Sequence, residues 1–442
     1  MFDKRLNRQI FNLAVPNILS NLSVPLLSSV DTALVGHLPS PIYIGAVAIG
    51  SMIFNFVYWG FGFLRMGTTG LTAQAYGKQD HADMRLQLWR ALFFALGAGI
   101  LLIVTQDLIA YFAFYLIDAS PEVEKFANIY FRIRIYAAPA TLALYAVHGW
   151  FLGMQNARLP LIITVTINFL NIVFNLIFVL QLKMTSDGVA LGTLLAQYAG
   201  VFLSFFFLIR HYKPYVSIPS FKDIVEWLEL TRFFKVNFNL FIRTLSLLFA
   251  FSFFTAQSAK LGDIPLAANS VLIQLWMIFA YGIDGFAFAA ESLVGKFLGA
   301  NDRKNLARLI KQIFILGSGL GLLISIVYGF FDRQIAALFT SNRAVLNTIA
   351  QFMPWTIVAP FLNSFCYIWD GIYIGATATR ALRNAMLLAI FGVYLPLHYL
   401  LTPVFGNHGM WAALLSLMIF RTVTLTYLSP KHLKIHIKTI FR

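Results

Sequence analysis

Charge is scarce in this chain. Only 12% of its 442 residues are Asp, Glu, Lys or Arg, about half of the roughly 25% that soluble domains carry, and a water-soluble globule is excluded. Acids are the scarcer sign, 18 against 33 Lys plus Arg for a net charge of +15. Cysteine occurs once, as Cys366, so no intrachain disulfide can form. Neither a Gly-x-x-x-x-Gly-Lys-Ser/Thr loop nor a His-Glu-x-x-His pair is present, which removes the usual sequence signs of ATP coupling and of a zinc hydrolase. The short polar-apolar alternation of a transmembrane barrel is missing as well. What the chain has is apolar surface. Hydrophobic residues make up 59% of it, aromatics 16%, and the mean hydropathy is +0.75.

The apolar residues form long continuous runs, each sufficient for the ~20 residues that cross the hydrocarbon of a bilayer. Charged clusters and Pro, Gly and Asn punctuation divide them into twelve helices, starting at about residues 11, 45, 87, 122, 158, 188, 233, 265, 306, 345, 380 and 409. The basic opening Met1 to Phe11 looks like the start of a signal peptide, but Asn17, Asn21 and Asp31 interrupt the apolar stretch behind it, and we expect the segment to be retained. Of the 33 basic residues, 23 fall at the termini and even-numbered connections, 5 in odd-numbered connections and the other 5 inside apolar runs. That asymmetry is a topology signal rather than a nucleic-acid footprint, and it puts both termini in the cytoplasm.

An internal repeat organises the helices. Gly149 to Arg158 (GWFLGMQNAR) aligns with Gly371 to Arg380 (GIYIGATATR), an offset of 222 residues. The same offset carries Ala75 to Asp80 onto Phe297 to Asp302. Six is an even number of crossings, so both copies enter from the same side, as parallel repeats do. The expected fold is an all-α integral membrane protein of twelve transmembrane helices. Residues 1–210 and 233–442 form two six-helix bundles, related by a pseudo-twofold axis along the membrane normal and joined by a cytoplasmic linker at 211–232. Two such bundles around a cleft favour a transporter over an intramembrane enzyme, for which no nucleophile-base pair is evident.

Polar groups inside the runs are the candidates for function, since an ionisable side chain costs about 3 kcal/mol or more at mid-membrane. Asp31 ends a first helix that holds Pro16 and Pro25; each proline removes a backbone donor and offers a hinge. On the fifth helix Thr164, Asn168, Asn171 and Asn175 recur at spacings of four, three and four, one stripe that cannot face lipid. Thr193 and Gln197 form a matching short face on the sixth. In the second half Tyr281 and Asp284 share a face of the eighth helix with Phe288 and Glu291, and Asn363, Tyr367 and Asp370 share one on the tenth. An acid among aromatic rings suits a lipophilic cation. The alternative for these acids is an internal pairing with Arg243 or Arg421, and for any single Asn it is helix-to-helix hydrogen bonding.

Four stretches together resemble the multidrug and toxic compound extrusion (MATE) family, specifically its DinF branch. They are Pro16 to Gly36, ending in VDTALVG, Phe61 to Gly77 (FGFLRMGTTGLTAQAYG), Tyr281 to Gly299 (YGIDGFAFAAESLVGKFLG) and Asp370 to Met386 (DGIYIGATATRALRNAM). The resemblance covers nearly the whole chain. It implies a secondary transporter rather than an enzyme, a monomer in the inner membrane that exports lipophilic, often cationic, compounds by alternating access. No cofactor is implied beyond a coupling proton or sodium ion. Asp31 matches the family's coupling carboxylate, and Asn171, Asn175 and Thr193 match positions that join it in a cation pocket, with Asn168 on the same stripe. Asn175 stands where relatives carry a second acid. One carboxylate offsets sodium dehydration less well than two, so protons are favoured. Tyr281, Asp284, Asn363, Tyr367 and Asp370 are the substrate-cleft candidates, and a lipid-linked oligosaccharide flippase is the alternative within the wider superfamily.

Overall fold

A computed structural model describes residues 3–36, 40–117 and 119–433, and for residues 24–29, 31–33 and 35 it describes the backbone alone. Every described element is helical. We number the long helical segments α1 (Lys4–Gly36), α2 (Pro41–Lys78), α3 (His81–Val104), α4 (Pro121–Gly153), α5 (Arg158–Gln181), α6 (Ser186–His211), α7 (Trp227–Ala259), α8 (Asp263–Gly299), α9 (Arg303–Phe330), α10 (Arg343–Gly375), α11 (Thr379–Phe405) and α12 (Asn407–Leu433). Among the described residues, the eleven from α2 to α12 are long and apolar enough to cross a membrane. Large apolar side chains such as Phe202, Leu323 and Tyr427 stand outward on these helices. In water that would be a liability; against lipid it is the expected exterior.

The helix ends are written locally. Ser40 accepts from the Ile42 amide at 3.3 Å ahead of Pro41, and Asn342 accepts from the Ala344 amide at 2.9 Å to open α10. Both use a side-chain oxygen to satisfy donors that the first helical turn leaves over. Asp80 caps α3 through the Asp83 amide (3.0 Å), and Asp302 caps α9 through the Asn305 amide (3.1 Å). These two aspartates and their partners are 222 residues apart, as the repeat requires. So are the left-handed residues Gln79 (φ +57°) and Asn301 (φ +54°), and Gln155 (φ +64°) and Thr377 (φ +52°). Positive φ is uncommon outside glycine, and its recurrence at one offset shows that both copies turn the chain in the same way.

The tightest helix crossings repeat as well. Gly371 and Gly375 on α10 lie against the backbone of α8 at Ala287 and Glu291, and Gly149 on α4 lies against the α2 backbone at Arg65. Arg65 and Ala287 are again 222 apart. A β-carbon at residue 371 would fall 2.8 Å from the Ala287 carbonyl carbon and 2.9 Å from its Cα, and backbone cannot give way as a flexible side chain can. Small residues at such crossings let helices approach where no hydrophobic force drives them together. Gly371→Val is therefore expected to cost about 1–3 kcal/mol or more, read as a lower melting temperature of the purified protein. Gly392, with nothing within 4 Å of its β-carbon position, should accept alanine with little change.

The chain divides into two compact units, residues 19–234 and residues 1–18 with 235–442. One division lies at 234/235, after the linker residues, and the other at 18/19. The latter falls within α1, between Pro16 and Pro25. In the second unit Phe11 packs edge-on against Phe286, with ring centroids 6.1 Å apart, and a β-carbon on Gly285 would meet Ile18 and the Ala14 carbonyl. The linker residues belong to the first unit and carry two short helices, Lys213–Val216 and Phe221–Ile224. Arg90 on α3 is 1% exposed. It donates to the Asp223 carbonyl at 2.9 Å and the Ile224 carbonyl at 3.3 Å, with Glu226 and Glu229 at 3.8 and 3.9 Å. His81 and Tyr215 share a 2.6 Å hydrogen bond beside it. The linker is docked against α3.

Candidate functional site

In the first unit the α5 stripe folds into a buried polar cluster. Asn171 is 2% exposed and Asn175 fully buried. The Asn171 Nδ2 donates to Thr193 Oγ1 on α6 at 2.9 Å, the Asn175 Nδ2 donates to Asn171 Oδ1 at 3.1 Å, and Thr193 Oγ1 donates to the Val189 carbonyl at 3.0 Å. Gly192 makes this approach of α5 and α6 feasible, because a β-carbon there would run into the Asn175 side chain. One and two turns earlier on the stripe, Asn168 and Thr164 are half-buried. Asn168 Nδ2 donates to Ser23 Oγ at 2.9 Å, which fixes α5 against α1.

Ser23 is eight residues before Asp31 on α1, and Asn168 is seven before Asn175 on α5. Odd-numbered spans run in the same direction in an alternating bundle. At 1.5 Å of rise per residue, Asp31 is about 12 Å along α1 from Ser23 and Asn175 about 10 Å along α5 from Asn168. The side chains of Asp31 and Pro25 lie outside the described residues. Pro16 lies within α1, and its neighbour Asn17 is buried and donates Nδ2 to the Leu13 carbonyl at 2.7 Å.

In the second unit Asp370 is the centre of an ion triad. Arg421 of α12 donates Nη2 to both of its oxygens at 2.6 Å, and Arg243 of α7 donates Nη2 to Oδ2. All three side chains are below 9% exposed. Of the two alternatives open in the sequence, internal pairing of Asp370 is the one seen, with both arginines at once. Tyr367, a turn away, accepts at its hydroxyl from Trp276 Nε1 at 3.2 Å and packs edge-on against Phe279. Asn363, a turn further, is fully buried, and neither its Oδ1 nor its Nδ2 has a partner. Tyr281 and Asp284 are half-buried on α8, where Asp284 acts electrostatically on the hydroxyls of both Tyr281 and Tyr367. Asn363, Tyr367 and Asp370 correspond at the repeat offset to Thr141, Tyr145 and His148 on α4, so both copies turn a polar face inward at the same helical positions.

A further polar network escaped the sequence reading. Asn269 donates to Ser258 Oγ at 2.9 Å and to Asn407 Oδ1 at 2.8 Å, and accepts from Asn407 at 2.9 Å and from Trp411 Nε1 at 2.9 Å. Every partner is satisfied, the pattern of structural glue between α7, α8 and α12. An isolated Asn at the start of a long apolar run was the signal for it. Among the described residues, no group of three or more His, Cys, Asp or Glu side chains could hold a metal ion.

Comparison with known proteins places this architecture. The profile of the MatE family matches residues 16–177 and 240–400, one segment on either side of the linker residues. The chain belongs to the MatE family. This MatE chain is 36% identical over 427 residues to the DNA damage-inducible protein F of Escherichia coli K12, covering 96% of this chain and 92% of that one. It is 25% identical over 431 residues to human multidrug and toxin extrusion protein 1, covering 94% and 73% of the two chains. Among solved structures, a MATE protein in a bent conformation superposes with a TM-score of 0.89 at 19% identity over 100% of both chains. A Vibrio cholerae MATE transporter does so with 0.87 at 18% identity over 99% of each. The MatE chain is a multi-pass membrane transporter and not an enzyme.

Proposed function

We propose that this transporter exports lipophilic, often cationic compounds from the cytoplasm across the inner membrane, both termini cytoplasmic, and that it does so as a monomer in exchange for protons bound at Asp31. The observation that carries the reading is the buried hydrogen-bonded chain of Asn175, Asn171 and Thr193, on an α5 face that Asn168 ties to α1, the helix that bears Asp31. These neutral groups can donate to a carboxylate or accept from a carboxylic acid, and the cluster itself adds no charge to the site. Burial raises a carboxyl pKa and hydrogen-bond donors lower it, and the balance of the two lets such a group titrate between bulk phases of different pH.

Protons are favoured over sodium by the same bonds. The Asn171 oxygen accepts from Asn175, and the Thr193 hydroxyl both accepts from Asn171 and donates to a backbone carbonyl. A hard cation seeks about six oxygen ligands with anionic charge among them. This cluster brings no anionic oxygen, since Asn175 supplies no second carboxylate. The relative named multidrug and toxin extrusion protein 1 supports the substrate class. Alternating access needs only that substrate and proton prefer different conformations, since coupling is reciprocal. Reconstituted in proteoliposomes with separately imposed gradients, the protein is expected to drive efflux of a fluorescent lipophilic cation with an inward pH gradient and not with a sodium gradient of equal size. Efflux driven by sodium at constant pH rejects the proton assignment, and the absence of efflux under either gradient rejects cation-coupled export.

A further inference from the structure

The triad in the second unit is unbalanced. Two guanidinium groups share one carboxylate, so Arg243, Arg421 and Asp370 together carry one excess positive charge at a site less than 9% exposed. Cys366 and Tyr367, which also act on Arg421, are a thiol and a phenol that are ordinarily neutral near pH 7. Donors are in excess as well. Arginine offers five N–H groups and no acceptor. Here Nε of Arg243 and Nε of Arg421 are both buried without a partner, and Nη1 of Arg421 reaches only the weak thioether of Met418 at 3.5 Å. A buried charge without counter-charge and buried donors without acceptors are each costly, and one small anion would relieve both.

We propose that Arg243 and Arg421 form a buried site for a small monovalent anion, a halide or a carboxylate, held by their unpartnered Nε donors while Asp370 keeps the two guanidinium groups in place. The ligand is an anion and the residues lie in the second unit, so the site is separate from the cation chemistry proposed for Asp31 and stands whether or not that reading holds. Asn363, on the same α10 face as Asp370, extends the set of buried donors and acceptors that no protein group satisfies.

The test is thermal unfolding of the purified full chain as chloride or acetate replaces MES, a bulky sulfonate, at matched pH and ionic strength. A ligand near tenfold over its Kd is expected to raise the melting temperature by about 1–2 °C for a chain of this size. A rise with chloride assigns the site to halides, and a rise with acetate alone assigns it to carboxylates. Cys366→Asp adds a second carboxylate beside the triad, neutralises the excess charge and is expected to abolish the rise. Equal melting in all three salts overturns the proposal, as does a rise of full size in Cys366→Asp. Should that variant fail to fold, crystals of the unaltered protein soaked in bromide decide it: an anomalous peak against Arg243 and Arg421 supports the site, and its absence there overturns it.

Discussion

Asp31→Asn is expected to lower gradient-driven efflux by about tenfold or more at matched expression, within the 5- to 150-fold range typical of coupling between two sites, and to leave the residual transport unresponsive to a pH gradient. Asparagine keeps the volume and the hydrogen-bonding reach of aspartate and loses only the titratable charge. The buried cluster of Asn171, Asn175 and Thr193 is already neutral. The variant therefore resembles a permanently protonated site, with proton and substrate no longer linked. Folding should survive, because removing a charge from a membrane interior relieves a desolvation cost, and an unchanged melting temperature checks this. Undiminished, pH-responsive export by Asp31→Asn sinks the coupling assignment.

Asp370→Asn should have the largest effect on stability. In MES buffer, without the proposed small anion, it leaves the Arg243 and Arg421 guanidinium groups without their carboxylate counter-charge, and an uncompensated buried charge typically costs about 3–5 kcal/mol. For a chain of this size the fall in melting temperature is about 3–5 °C. Arg421→Met should cost less, even though it deletes a larger charged group, because the remaining Arg243 and Asp370 form a balanced pair. The order of the two variants is the informative outcome. If Arg421→Met destabilises the protein more than Asp370→Asn, the excess positive charge is not what governs this site.

Much of the architecture could be read from residue order. Twelve apolar segments, their six-plus-six grouping and the offset of 222 follow from patterns that repeat along the chain. The structure bears out that offset at Asp80 and Asp302, Gln79 and Asn301, and Gly149 and Gly371. The α5 stripe was legible for the same reason. Helical periodicity puts Asn168, Asn171 and Asn175 on one face whatever packs against them, and a polar face in lipid must turn inward. The Asn269 network was not legible. A single Asn has no period, and its partner Asn407 is 138 residues away.

What the sequence by itself determined is therefore what depends on local geometry and solvent: a membrane protein, the count and spans of its helices, the duplicated halves and the inward polar faces. What only the tertiary structure decided is which groups meet. Asp370 pairs with Arg243 across 127 residues and with Arg421 across 51, Arg90 is buried under the linker, and residues 1–18 group with the second half. The physical reason is common to all three. A helix announces its own faces through a 3.6-residue period, but the partner of a face is set by where helices cross, and crossings depend on close backbone contacts such as Gly371 on Ala287 that no single segment encodes.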